Sequence, residues 1–108
     1  MNPNEKKILS YLGLASRAGK IFSGEFSTEK AIKDGSAALV VVAEDASDNT
    51  RKNFTDACNY RNVPLVIMFD KISLGHAIGK EMRASLALCD QGFAGAIKKC
   101  LGDGGNTY

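Results

Sequence analysis

The stretch LVVVA, residues Leu39 to Ala43, decides the fold class because it is apolar on both sides. Such a run is typical of a central strand in a sheet that helices cover on both faces. A similar run, Leu65 to Phe69, follows Pro64. The two runs predict strands of a mainly internal sheet.

Helical and extended patterns alternate on either side of these two runs, without a break in composition or an internal repeat. The alternation predicts one domain over residues 1–101, an α/β three-layer α/β/α sandwich with a mixed, roughly four-stranded central sheet. The glycine-rich segment 102–108 is expected to be a flexible tail. The predicted elements are a helix from Pro3, capped by Asn2 and closed by Gly19; a strand Ile21 to Ser23; a helix Gly24 to Asp34; the strand Leu39 to Ala43; a helix from the Ser47 cap to Arg61; the strand Leu65 to Phe69; a short helix from a Ser73 cap to Lys80; a strand Ala84 to Cys89; and a helix from the Asp90 cap to about Leu101.

Composition excludes several classes of protein. Of 108 residues, 44% are hydrophobic and 24% charged, which is globular rather than disordered. No apolar run approaches the roughly 20 residues of a membrane helix, and Met1 to Lys7 is polar. We therefore expect a cytoplasmic protein without a membrane partner. Cys58, Cys89 and Cys100 lack metal-ligand or disulfide spacing, so they are interpreted as reduced core residues, and no metal or cofactor is expected.

No catalytic set can be assembled from the sequence. The segment Gly75 to Lys80 has three residues between its glycines and Glu81 after its lysine, so it does not match a phosphate-binding loop. His76 is the only histidine, and it falls inside a predicted helix. Glu44 and Asp45 are adjacent on an extended chain and point in opposite directions, so they cannot act as an acid/base pair. Asp45 is expected to help cap the turn into the third helix. A non-catalytic protein is predicted.

The net charge is only +2, but lysine and arginine are concentrated in the first third of the chain. Gly24 lies where a strand gives way to a helix, so its backbone N–H and those of its neighbours can face an anion. Lys30 lies almost two turns along the same helix, and Thr28 is expected to reach a phosphate or a base edge. Arg17 and Lys20 precede this segment and are expected to flank it. A second segment, Gly79 to Arg83, is expected to expose an apolar residue beside cations, which suits the unstacked bases of folded RNA.

Several motifs in order resemble one family. They are SGEFSTEKAI at Ser23 to Ile32, LVVVAEDAS at Leu39 to Ser47, Val63-Pro64, and SLGHAIGK at Ser73 to Lys80. Together they resemble the L-seven-Ae family of kink-turn RNA-binding ribosomal proteins. With GLASRAGK at Gly13 to Lys20 and CDQGFA at Cys89 to Ala94, the chain is most similar to its short bacterial branch.

The resemblance implies an α/β/α sandwich that binds a sharply bent RNA with sheared G·A pairs beside a bulge. It implies that the strand-to-helix segment enters the groove at those pairs, and that the loop before the last strand covers the bulge. The partner expected is therefore structured RNA, ribosomal or messenger, with ribosome association left open and no DNA expected. The residues carried over by position are Gly24, Glu25, Phe26, Ser27, Thr28 and Lys30 in the first segment, Glu81, Met82 and Arg83 in the second, and Glu44 and Asp45 beside both. Lys80 is expected at the site from its place in the loop before Glu81.

One departure from the family pattern concerns Phe26 and Ser27, which stand where strong binders carry a polar pair that contacts guanines. Phe26 cannot hydrogen-bond a base edge, and each lost contact removes on the order of 1–3 kcal/mol of discrimination. Phe26 either stacks on a base or packs into the protein. An alternative function also stays open, a protein–protein interaction module that keeps the fold and has lost specific RNA recognition.

Overall fold

A computed structural model describes residues 1–103 and confirms the predicted α/β sandwich. Five helices and four strands alternate along the described part of the chain. The elements are α1 Pro3–Arg17, β1 Ile21–Ser23, α2 Glu25–Lys33, β2 Leu39–Val42, α3 Asp48–Arg61, β3 Leu65–Ile67, α4 Lys71–Ala77, β4 Ser85–Leu88 and α5 Gln91–Asp103.

The four strands form one mixed sheet in the order β1-β4-β2-β3. The β1/β4 and β2/β4 pairs are antiparallel, whereas β2/β3 is parallel. Val41 lies opposite Leu86 on one side and Val66 on the other. Every residue of β2 and β4 is buried, as expected of central strands. The run Leu65 to Phe69 gives a shorter strand at the sheet edge, where Ile67 is 40% exposed.

Side-chain caps fix most of the helix starts. Asn2 makes a capping box at α1, and Ser47 accepts a hydrogen bond from the Thr50 N–H at α3. The cap predicted for the fourth helix is wrong: Asp70, not Ser73, is the N-cap of α4, and its carboxylate accepts from the Ser73 N–H at 2.7 Å. The helix starts earlier because Asp70 follows β3 closely and binds the amide three residues on. It also ends earlier, at Ala77 rather than Lys80.

The core lies between the sheet and its helices. Ile8 and Leu12 of α1 are buried, as are Ile97 and Leu101 of α5. The three cysteines are free; Cys58 and Cys100 are buried, and Cys89 is half-buried. Helix α5 continues to Asp103, two residues past its predicted end, and the rest of the predicted tail, 104–108, lies outside the described residues. Within residues 1–103, no helix is both long and apolar enough to cross a membrane.

Candidate functional site

Three chain segments meet at the end of the sheet where β1 and β2 finish and β4 begins. The Gly24 N–H donates to the Ser85 carbonyl at 3.0 Å, and the Ala43 N–H donates to the Ala84 carbonyl at 2.9 Å. We call this region the strand-end surface, formed by residues 23–27, 44–45 and 80–83 together with Lys30, which lines a groove with Phe26. Most of the residues singled out in the sequence lie on it.

Gly24 is the N-cap of α2 and has φ +92°, which favours glycine because a Cβ is strained there. Its own N–H is bound to Ser85, so the expectation that this group faces an anion is wrong. A glycine N-cap has no side chain to bind the first turn, and α2 has no side-chain cap. The amides of Glu25, Phe26 and Ser27 therefore remain available to an acceptor.

Thr28 does not contribute to the strand-end surface. Its side chain is fully buried, and its hydroxyl lies 3.2 Å from the Ser85 hydroxyl beneath α2. The expectation that Thr28 reaches a phosphate or base edge is wrong, because this position faces the sheet. Thr28 instead packs between α2 and the sheet and supports the start of α2.

Phe26 is 80% exposed, so the interpretation in which it packs into the protein is wrong. Single exposed apolar side chains are common on protein surfaces, so the exposure makes the ring available to a ligand without requiring one. Ser27 beside it is half-buried, whereas Glu25 and Lys30 are exposed. The first segment therefore presents an aromatic ring, a hydroxyl and a cation.

The second segment, residues 80–83, is braced against α4. The Lys80 N–H donates to the Gly75 carbonyl at 2.8 Å, and the Arg83 N–H donates to the Lys71 carbonyl at 3.0 Å. A Cβ on Gly75 would lie 1.5 Å from the Glu81 carbonyl oxygen, so only glycine permits this approach. Met82 is 57% exposed on the loop, as expected.

Arg83 joins the two segments. Its Nε donates to the Ser23 hydroxyl at 3.1 Å, and its Nη1 donates to the Met82 carbonyl at 2.9 Å. The side chain is half-buried, unlike the exposed Lys80 and Glu81. Its geometry is that of a residue that positions both segments rather than one that projects from the surface.

Glu44 and Asp45 follow β2. Asp45 does not cap α3, as expected from the sequence; its carboxylate accepts from the Lys71 N–H at 2.9 Å at the start of α4. Ser47 caps α3 alone because it lies three residues before Thr50. The Glu44 N–H donates to the Phe69 carbonyl at 2.7 Å, and its side chain is exposed.

Arg17 and Lys20 are not brought into this surface. The Lys20 carbonyl accepts from the Cys89 N–H at 2.8 Å, at the opposite end of β4 from Ser85. At about 3.3 Å per strand residue, Lys20 lies roughly 13 Å from Gly24. Arg17 is exposed in the last turn of α1, before the turn that leads to Lys20. The expectation that both flank Gly24 is wrong, because the length of β1 separates them from it.

Phe22 was missed from the sequence. It is 49% exposed on the edge strand β1, and it lines a groove beside α2 with a volume of about 210 Å³. In the structure Ile21 and Ser23 are half-buried and the residue between them faces outward, but in the sequence Ile21 and Phe22 are both apolar and do not show which one faces out. A run of three residues is too short to decide between them.

The strand-end surface offers hydrogen-bond donors, exposed apolar side chains and a few cations.

The N-cap of α4 lies outside this surface. Hydrogen bonds from Ser73 lower the pKa of Asp70, so this carboxylate is ionised and acts as a cap. In the part of the chain that the structure describes, no three His, Cys, Asp or Glu residues are grouped to hold a metal ion. The arrangement is suited to binding.

Comparison with known proteins gives concordant matches in sequence and structure. The model of the Ribosomal protein L7Ae/L30e/S12e/Gadd45 family matches residues 6–97. An RNA-binding protein, YlxQ, of Bacillus subtilis (strain 168) is 49% identical over 90 residues, which are 83% of this chain and 90% of that protein. A YlxQ of Enterococcus faecium is 38% identical over 98 residues, 91% of this chain and 94% of that one.

Among solved structures, a Bacillus halodurans protein described as having unknown function superposes with a TM-score of 0.85 at 34% identity, covering 89% of this chain and 97% of that one. The Giardia lamblia 15.5kD RNA binding protein has a TM-score of 0.80 at 20% identity, covering 95% of this chain and 88% of its own, which shows the shared fold. The chain belongs to the L7Ae/L30e/S12e/Gadd45 family of ribosomal-protein-like sequences, the family that the motifs indicated.

Proposed function

We propose that this protein is a non-catalytic RNA-binding protein that recognises a kinked helix or internal loop through the strand-end surface. The RNA is structured and kink-turn-like, and ribosome association and a cytoplasmic location are part of the proposal. Residues 1–101 act as one binding domain. Two relatives that match most of this chain carry the name RNA-binding protein, which supports the class of ligand.

The observation that carries the proposal is the pairing of two exposed apolar side chains on segments held together by one arginine. Phe26 and Met82 are exposed, and the Arg83–Ser23 hydrogen bond joins the two segments that carry them. Apolar and aromatic groups next to cations suit unpaired bases, which bent or looped RNA presents and a regular duplex does not. The free amides of α2 add hydrogen-bond donors that phosphate oxygens can accept from.

The altered polar pair sets the expected specificity. Phe26 stacks on a base instead of hydrogen-bonding to its edge, and Ser27 is shorter than the family's acidic or amide residue. We therefore expect reduced discrimination at the G·A pairs, with shape and stacking contributing more of the affinity. This differs from a protein that reads base edges with two polar side chains.

A second candidate function is a protein–protein module that uses the same surface. The observation that favours it is again Phe26, because an exposed aromatic ring in place of a polar base-reading side chain also suits an apolar partner. A cheap measurement separates the two functions. Purified protein that carries RNA has raised absorbance at 260 nm relative to 280 nm, and the chain has no tryptophan to mask it.

A gel-shift titration tests the proposal directly. The protein is titrated against a kink-turn RNA and against a control in which the G·A pairs are Watson–Crick pairs. Tighter binding to the first RNA supports recognition of the bend. Equal, salt-sensitive binding to both means a less selective RNA binder, and absence of binding to either RNA favours the protein–protein module.

A further inference from the structure

A second aromatic side chain lies next to the strand-end surface and forms a groove of its own. The Phe22 groove is bounded by the edge strand β1 and by one face of α2; its lining is Phe22, Ser27, Lys30, Ala31, Asp34 and Ser36. Its volume of about 210 Å³ is below the roughly 300 Å³ at which pockets for drug-sized ligands begin. The groove is therefore of a size for one flat ring.

Lys30 lies between two exposed aromatic residues. It lines the Phe22 groove on one side, and on the other it lines a second groove with Phe26. Among residues 1–103, Lys30 has no ion-pair partner, whereas the neighbouring Lys33 is paired with Glu29 at 2.7 Å. Its ammonium is thus available to a phosphate between two rings.

Asp34 gives the Phe22 groove a hydrogen-bonding preference. Its Oδ1 accepts from the Ser36 N–H at 2.9 Å, which orients the carboxylate at the end of α2. Hydrogen bonds from Ser36 lower the pKa of Asp34, so the group accepts hydrogen bonds at neutral pH and cannot donate them. A carboxylate pairs with the amino group of cytosine, whereas uracil offers a carbonyl at the same position.

We propose that the Phe22 groove binds one unpaired RNA nucleotide, with the base stacked on Phe22, its amino group at Asp34 and its phosphate at Lys30. The nucleotide lies beside the kinked region rather than within it, because the groove is on the edge-strand side of α2. This inference rests on the proposed function, since Lys30 and Ser27 border both surfaces. It predicts that cytidine is preferred over uridine.

The test uses a kink-turn RNA with blunt ends and versions of it that carry a short single-stranded tail on either strand, of cytidine or of uridine. Cytidine and uridine have the same size, and they differ at position 4 (amino group against carbonyl) and at N3 (acceptor against N–H donor). A difference between the two tails therefore reports hydrogen bonds at this edge of the base. Stacking of one base predicts that a cytidine tail on one strand lowers Kd roughly tenfold relative to blunt RNA. A uridine tail lowers it less.

Variants assign the effect to the groove. Phe22→Leu should cancel the gain from the tail and leave the affinity for blunt RNA unchanged, and Phe22→Tyr should keep the gain. Asp34→Asn should bring cytidine and uridine tails to the same affinity. Tyr60→Leu is the matched control, because Tyr60 is 82% exposed on α3 outside this groove. Far-ultraviolet circular dichroism checks that each variant is folded.

The outcomes separate the two proposals. Binding of blunt RNA with no gain from a cytidine tail on either strand would overturn the groove and leave the proposed function intact. A gain that survives in Phe22→Leu, or that Tyr60→Leu also removes, would likewise overturn it. Binding of tailed RNA alone would support the groove and contradict recognition of the kink.

Discussion

The hydroxyl pair of Thr28 and Ser85 shows how one buried polar contact holds the candidate site in place. The two residues are almost fully buried, they lie under the first turn of α2, and the Gly24 N–H binds the carbonyl of the same Ser85. A buried hydroxyl without a partner costs about 1–3 kcal/mol, whereas removing both partners is nearly neutral. The pair therefore contributes to folding rather than to ligand contact.

Thr28→Val should lower the free energy of unfolding by about 1–3 kcal/mol, because it leaves the Ser85 hydroxyl unpaired. Adding Ser85→Ala should restore part of that loss. Urea denaturation of the single and double variants measures the coupling, and additive losses would contradict it. The RNA affinity of the folded protein should stay close to that of the wild type.

Cys58 makes the free energy of unfolding depend on pH in the alkaline range. Burial raises the pKa of this thiol to about 11, above the roughly 8.5 of an exposed cysteine. The folded state thus holds its proton more strongly than the unfolded chain. The resulting stabilisation is present below about pH 8.5 and is lost as the pH rises toward 11.

Cys58→Ala should be less stable than the wild type at neutral pH, because a packed side chain is lost. The difference in stability between the wild type and the variant should decrease between pH 8.5 and 11. Thermal unfolding at a series of pH values measures this difference. A constant difference over this range would contradict the assignment.

At the scale of elements, the short helix α4 and the loop after it act as one unit. Lys71 binds both Asp45 and Arg83 through its backbone, and Gly75 allows the loop to lie against the helix. The loop's position was predictable from its place before β4. Its contact with α4 was not predictable, because Gly75 in the sequence does not show that the backbone of Glu81 lies against it.

Gly75→Ala should displace the loop, because the new methyl group would overlap the Glu81 carbonyl. We expect a loss of stability of about 1–3 kcal/mol or more and weaker RNA binding. Gly95→Ala is the matched control: no atom lies within 4 Å of its Cβ, and alanine favours the helix. Equal stability of the two variants would contradict the close approach.

The elements themselves were largely predictable from the sequence, and the site only in part. Runs that are apolar on both sides indicate buried strands, and capping residues indicate helix starts. Both signals lie in neighbouring residues, because a cap binds an amide only two or three residues further along the chain. The positions of Lys20, Thr28 and Asp45 depend on which strands pair and which helix face is covered. Those are long-range contacts, and residue spacing does not encode them.

Over the whole molecule, charge is nearly balanced at +2, so the position of each cation matters more than the total. Lys30→Ala should weaken RNA binding and reduce the slope of log K against log salt by about 1, the contribution of one phosphate contact. Lys20→Ala removes the same charge at the other end of the sheet. It should leave both affinity and slope nearly unchanged.

Titrations at several KCl concentrations measure both variants of this pair. If Lys20→Ala weakens binding as much as Lys30→Ala does, the interface extends to the far end of the sheet. Such a result would contradict the strand-end surface as the site of phosphate contact.

The strand order places the first strand of the chain beside the last, and Arg83 bonds to Ser23 across sixty residues. During synthesis, β1 therefore has no partner until β4 has left the ribosome. Any ligand that requires both segments therefore meets a chain that has been synthesised beyond β4, and never an earlier nascent one. A chain truncated before Ser85 would be released without the ability to bind, even if its first half had already folded.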